Sequence, residues 1–131
     1  KMIGLDTTAL IDLFRNDDKL IKLLGELDEE IVLNMITYLE LMLVLDFKSQ
    51  KHKNEGNFYD KIFNEYSVYG LDYKSSKKNS EINRELKGKG NVIDPFDMVI
   101  AAIYLTNGVN KIITRNVKHF ENIKGMEVVP Y

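Results

Sequence analysis

Apolar residues recur along the chain in two rhythms, short unbroken runs and longer stretches with a period of three to four residues, and the two alternate. Runs of the first kind suit strands buried on both faces, and stretches of the second suit helices that cover them. The alternation predicts an α/β fold with a central, mostly parallel β-sheet of 4–5 strands flanked by helices.

Met2 to Asp6 reads as the first strand, and Thr7 to Arg15 as a helix whose inner stripe is Ala9, Leu10, Leu13 and Phe14. Asp17 or Asp18 caps a second helix running through Leu27. Glu30 to Asn34 is the next strand, followed by a helix from Thr37 to Phe47 that is apolar almost all round and so needs cover on more than one side. Ser49 to Asn57, polar and rich in lysine, reads as a surface turn before a helix over Phe58 to Tyr66 and a weak strand over Ser67 to Leu71. Lys74 to Lys87 is a polar helix with few apolar anchors, expected as an exposed arm or lid. Asp94 to Thr106 is the clearest helix, with Asp at its cap, Pro95 in its first turn and Asn107-Gly108 at its end. Lys111 to Thr114 is a strand, Val117 to Phe120 a one-turn helix, and Glu127 to Val129 a last strand. No repeat or linker interrupts the pattern, and a single domain over residues 2–131 is expected.

Composition narrows the chemistry. The 131 residues include no cysteine, which removes disulfides, thiolate zinc sites and cysteine nucleophiles together. No apolar run approaches the roughly 18 residues of a membrane span, and no charged-then-apolar signal opens the chain, so a soluble cytoplasmic protein without membrane association is expected. The formal charge is only −2, but residues 1–47 carry 4 basic and 10 acidic side chains while residues 48–89 carry 10 and 6. A polyanion must therefore be met by a local basic patch or through bound cations.

In a parallel α/β sheet, ligands sit beyond the carboxyl ends of the strands. Asp6 ends the first strand, Glu40 lies one turn into the helix after the second, Asp94 and Asp97 open the clearest helix, and Asn116 follows the fourth strand. Taken singly, capping explains several of them: Thr37 to Glu40 fits a capping box, and Asp94 to Asp97 is an acidic relative of one. Glu40, however, is flanked by Leu39 and Leu41 with no lysine or arginine within a turn, and Asp6 ends an apolar strand. Unpaired buried carboxylates are costly, and a shared divalent cation relieves them. Oxygen donors without cysteine or paired histidines favour Mg²⁺ or Mn²⁺ over zinc. His52 and His119 lack metal-ligand spacing and suit surface or supporting roles. Neither a Gly-x-Ser-x-Gly elbow nor a complete phosphate-binding glycine loop is present. Tyr59, Tyr66, Tyr69 and Tyr73 among lysines 61, 74, 77 and 78 suit either base stacking or ordinary core edge.

Four stretches in this order, Ile3 to Ile11, Thr37 to Leu41, Ile93 to Ala102, and Ile113 to Phe120 followed by Ile123 to Val128, resemble those of the PIN-domain ribonucleases, and among them the VapC-type toxins of toxin–antitoxin pairs. The resemblance implies a PIN-like fold and metal-dependent hydrolysis of RNA phosphodiester bonds. It implies metal ligation by Asp6 and Asp97, with Glu40 completing the acidic cluster and Thr7 or Thr114 in support. Asp94 is then a cap or an auxiliary acid, and Asn116 stands where many relatives carry a further Asp. His119 stands where an acid often precedes Phe120. Both departures leave a second metal open. The implied partners are RNA, a small VapB-like antitoxin and a second copy of the chain in a homodimer. Two alternatives remain within the family: an rRNA-processing nuclease, and a catalytically weak domain that only binds RNA or protein. Outside it, an aspartyl phosphotransferase using Asp6 would need a second acid two residues on, where Thr8 stands.

Overall fold

A computed structural model describes all residues 1–131. Five strands form one sheet: β1 (Met2–Leu5), β2 (Glu30–Asn34), β3 (Ser67–Tyr69), β4 (Lys111–Ile113) and β5 (Glu127–Val129). Their spatial order is β3-β2-β1-β4-β5, and every neighbouring pair is parallel, so the sheet is wholly rather than mostly parallel. Seven helices cover it: α1 (Thr7–Phe14), α2 (Asp18–Glu26), α3 (Met35–Leu43), α4 (Gln50–Glu65), α5 (Tyr73–Gly88), α6 (Pro95–Thr106) and α7 (Val117–Phe120).

Side chains alternate across the strands with period two, which splits the core between the faces. Ile3, Leu5, Leu33 and Ile113 pack with Leu10, Leu20, Leu41 and Tyr59 on one side. Val32 and Ile112 pack on the other with Ile100, Tyr104 and Phe120, together with Ile82 and Leu86 of α5. Both faces are thus buried, as the unbroken apolar runs require.

Three helices differ from the sequence reading. The expected surface turn over Ser49 to Asn57 is the first half of α4: Ser49 caps it through a bond from the His52 amide to Oγ (3.3 Å), and the helix runs unbroken to Glu65. Gln, Lys and Glu propagate a helix well without apolar residues, so an exposed half-helix leaves no periodic trace. The α5 helix is no free arm, because Ser75, Ile82 and Leu86 are buried, the latter two packing in the same core as α6. The α3 helix begins at Met35 rather than Thr37 and ends at Leu43. Its apolar girth is covered on two sides, with Ile36 packed against one core and Leu41 and Met42 in the other, but one stripe stays open: Met35, Leu39 and Leu43, with Val44 and Phe47 beyond the helix end, are exposed.

Candidate active site

The strand order reverses beside β1, whose neighbours are β2 on one side and β4 on the other, and this is where a crevice opens in such a sheet. Asp6 stands at the end of β1 and caps α1, so both of its oxygens face the reversal. Oδ1 accepts from the Ala9 amide (3.0 Å) and the Thr8 hydroxyl (2.8 Å). Oδ2 accepts from Thr114 (2.5 Å), one residue beyond β4. Parallel neighbours ending side by side bring these two residues, distant in sequence, into contact. Thr114 also receives the Asn116 amide (2.8 Å), which holds Asn116 at the rim, although its side chain makes no capping bond to α7.

Glu40 reaches the same region from α3. The expected Thr37–Glu40 capping box does not form, because Asn34 is the cap: its Oδ1 accepts from the Thr37 amide (2.8 Å). Glu40 turns instead to α1, where Thr7 donates to its Oε1 at 2.6 Å. Asp97, in the first turn of α6, contributes a third carboxylate, and its Oδ2 meets Nδ1 of His119 on α7. Asp94 is the cap of α6, its Oδ1 accepting from the Phe96 (2.9 Å) and Asp97 (3.4 Å) amides. The sequence left Asp94 between cap and auxiliary acid; the bonds are those of a cap.

These carboxylates sense one another. Burial pushes the Asp6 carboxyl up to about 6, against the hydrogen bonds from Thr114, Ala9 and Thr8, and the Asp97 charge adds to the rise. Burial raises Glu40 as well, opposed by Thr7 and reinforced by the charges of Asp97, Asp94 and Asp6. Asp97 is raised by burial and by Asp94, while His119 pulls it down. No lysine or arginine forms an ion pair with any of the three. The donor set is therefore an excess of hard, negatively charged oxygens flanked by threonine hydroxyls, and it suits an oxygen-seeking divalent cation in chemistry. As placed, no three acidic or histidine side chains stand close enough together to hold a metal ion.

Several neighbours were not evident in the sequence. Asp12 on α1, nearly buried, pairs with Arg115 Nε (3.0 Å) and accepts from the Tyr131 hydroxyl (2.5 Å), while the Arg115 amide donates to Thr8 (3.0 Å). Asp12 lies between Ile11 and Leu13, the same signal of an acid in an apolar stretch that singled out Glu40. The tyrosines do not form a stacking face: Tyr59 is wholly buried, Tyr69 bonds to Met2 Sδ, and Tyr73 is 90% exposed.

The profile of the PIN domain family matches residues 3–126. Among solved structures, the chain is similar to VapBC2 from Rickettsia felis bound to a DNA fragment from their promoter. That likeness has a TM-score of 0.86 and 21% identity over 100% of this chain and 99% of the other. It is similar to VapBC from Salmonella typhimurium bound to DNA, with a TM-score of 0.84 and 24% identity over 98% and 97%. VapBC-1 from nontypeable Haemophilus influenzae matches at a TM-score of 0.83 and 26% identity over 99% and 98%. No curated protein sequence matches the chain.

Proposed function

Because the chain belongs to the PIN-domain family, we propose that it is a Mg²⁺- or Mn²⁺-dependent endoribonuclease and the toxin of a toxin–antitoxin pair. The observation that carries this reading is the approach of Asp6, Glu40 and Asp97, from three separate elements, to the sheet's reversal, where no lysine or arginine pairs with any of them and only His119 touches Asp97. Asp6 and Asp97 would hold the cation, with Glu40 completing the set and Thr7 and Thr114 in support. When bound, such a cation supplies Lewis-acid stabilisation of the charge that builds on the phosphodiester.

The chain's own residues divide the remaining work. Glu40, pinned through Oε1 by Thr7, keeps Oε2 to face the cation and the water beside it. His119 holds one oxygen of Asp97, which leaves Oδ1 to face the cation. Asn116, at the rim, offers a neutral amide to the substrate where a further acid would repel it. Exposed lysines along α4 and α5, among them Lys51, Lys53, Lys74 and Lys77, guide the RNA strand. The uncovered apolar face of α3 supports both a homodimer and a small antitoxin as partners.

A second reading, a domain that binds RNA or protein without cutting, is favoured by one observation: both Asp6 oxygens are already engaged within the chain. One experiment separates the two. Single-stranded and structured RNA are incubated with the chain and Mg²⁺ or Mn²⁺, alongside Asp6→Asn, Asp97→Asn and a chelator control. The nuclease reading expects cleavage that all three controls abolish; cleavage surviving them, or RNA binding with no cleavage, overturns it. Growth arrest on expression of the chain, relieved by a small neighbouring gene, tests the toxin role against one in RNA processing.

A further inference from the structure

A line of buried polar groups runs from the core to the acidic site. Tyr104 on α6 is fully buried, with its hydroxyl between Leu5 at the carboxyl end of β1 and Val32 in the middle of β2. It donates to the Leu5 carbonyl at 2.5 Å and lies 3.3 Å from that of Val32. The same oxygen accepts from Asn34 Nδ2 at 2.9 Å. Asn34 Nδ2 also reaches Thr37 Oγ1 at 3.0 Å and lies 3.4 Å from the Leu5 carbonyl. Thr37 Oγ1 stands 3.2 Å from Thr7 Oγ1, and Thr7 donates to Glu40 Oε1 at 2.6 Å.

Each hydroxyl carries one proton, and that fixes the inner end of the line: the Tyr104 proton is committed to Leu5, so Asn34 donates to Tyr104. Thr37 Oγ1 accepts from Asn34 on one side and from Thr7 on the other, and Thr7 shares its hydroxyl between Thr37 and the shorter contact with Glu40. Thr37 thus fixes the place of Thr7 beside the Glu40 carboxylate.

A phenylalanine would fill the space of Tyr104 without burying a hydroxyl, and burying one is costly unless it is bonded. Here the hydroxyl is bonded to groups of two strands, and the fold makes room for its ring: a Cβ on Gly4 of β1 would overlap it. We propose that Tyr104, Asn34 and Thr37 are positioning residues that hold Thr7, and through it the orientation of Glu40, from inside the core. The proposal rests on the nuclease reading of the site, in which Glu40 faces the cation with its second oxygen. Tyr104 and Asn34 do not touch the substrate; they set how far Glu40 can turn.

The test measures Mn²⁺ affinity of the full chain by calorimetry, with thermal unfolding alongside. Tyr104→Phe keeps the ring and removes the hydroxyl, Thr37→Val removes the next link, and Thr37→Ser retains it. Outer-shell partners of metal sites typically change affinity about 10-fold or more. A loss of that order is expected for Tyr104→Phe and Thr37→Val, with Thr37→Ser close to the parent. In a Glu40→Gln background, Tyr104→Phe should weaken binding no further. Unchanged affinity in both variants with a lowered unfolding temperature makes the network a structural clamp and overturns the proposal, as does an equal loss with and without Glu40→Gln. A parent chain that binds no Mn²⁺ overturns the nuclease reading together with this one, whereas a binding, RNA-cleaving parent with unaffected variants overturns this one alone.

Discussion

Asp6 illustrates how a single residue proposed for a site can oppose folding. Its carboxyl rises from an ordinary value of 3.8 to about 6, chiefly through burial. Between about pH 4 and about 6 the folded chain keeps a proton on Asp6 that the unfolded chain has released, so stability falls as pH rises through that window. Above about 6 the whole penalty, ~3 kcal/mol, is present; below about 4 it is absent. Denaturant titrations of the cation-free chain should therefore show a component of stability lost between these limits, and Asp6→Asn should remove it. Asn can still accept from the Ala9 amide, so that variant is expected to be more stable at pH 7 by up to about 3 kcal/mol and inactive, the trade-off of a residue kept for function. A second prediction concerns His119. Its contact and charge are what lower Asp97, so His119→Ala should raise that carboxyl further and move the acid limb of the cleavage pH profile to higher pH; an unmoved limb would show that Asp97 does not govern it. Asp6 and Glu40 could be singled out in the sequence because acids beside apolar runs conflict with local burial, whereas Asp97 stood out only by its place at the start of the clearest helix and in a stretch shared with the family. Asn34, Thr37 and Tyr104 could not, since a polar residue near a helix start or in an apolar helix acquires its meaning only from partners far along the chain.

At the scale of elements, the strands and the helices with an apolar stripe were legible because each must bury one face, and burial imposes a period. The first half of α4 was not, since exposed Lys51, Lys53 and Asn54 carry no period, and helix propensity summed with the Ser49 cap decides instead. The burial of α5 was equally hidden: two apolar anchors, Ile82 and Leu86, are enough because α6 offers an almost wholly apolar surface to receive them. The start of α3 turned on which of two possible caps, Asn34 or Thr37, the strand end leaves free. Gly4 shows an element fitted to its neighbour, for its missing side chain is the space occupied by the Tyr104 ring. Gly4→Ala should cost about 1–3 kcal/mol in urea unfolding, the usual range for overpacking. Paired with Tyr104→Ala, the double variant should be less destabilised than the sum of the two single changes, because each removes the other's clash or void. Strict additivity would mean that β1 shifts to accept the methyl group without help from α6.

For the whole molecule, the uneven feature is α3. Met35, Leu39 and Leu43 recur at every fourth position and so line one side of the helix, and Val44 and Phe47 extend the surface beyond its end; Leu43 and Val44 are 64% and 69% exposed. Single exposed apolar residues are ordinary, but a stripe with this repeat on one helix is a contact surface. Residues this exposed contribute little to the fold of the isolated chain, so replacing them should leave its unfolding temperature nearly unchanged. The proposed homodimer makes the opposite demand on association. Placing two like charges in an apolar interface, as in Leu43→Glu with Val44→Glu, costs their desolvation without any partner to repay it. Sedimentation should then report a dimer for the parent and a monomer for the double variant at the same concentration, with matching thermal melts. A parent that sediments as a monomer would assign the stripe to the antitoxin instead, and the same variant should then lose binding to that protein while retaining RNA cleavage, because Glu40 leaves α3 on the side that faces α1 rather than from the stripe.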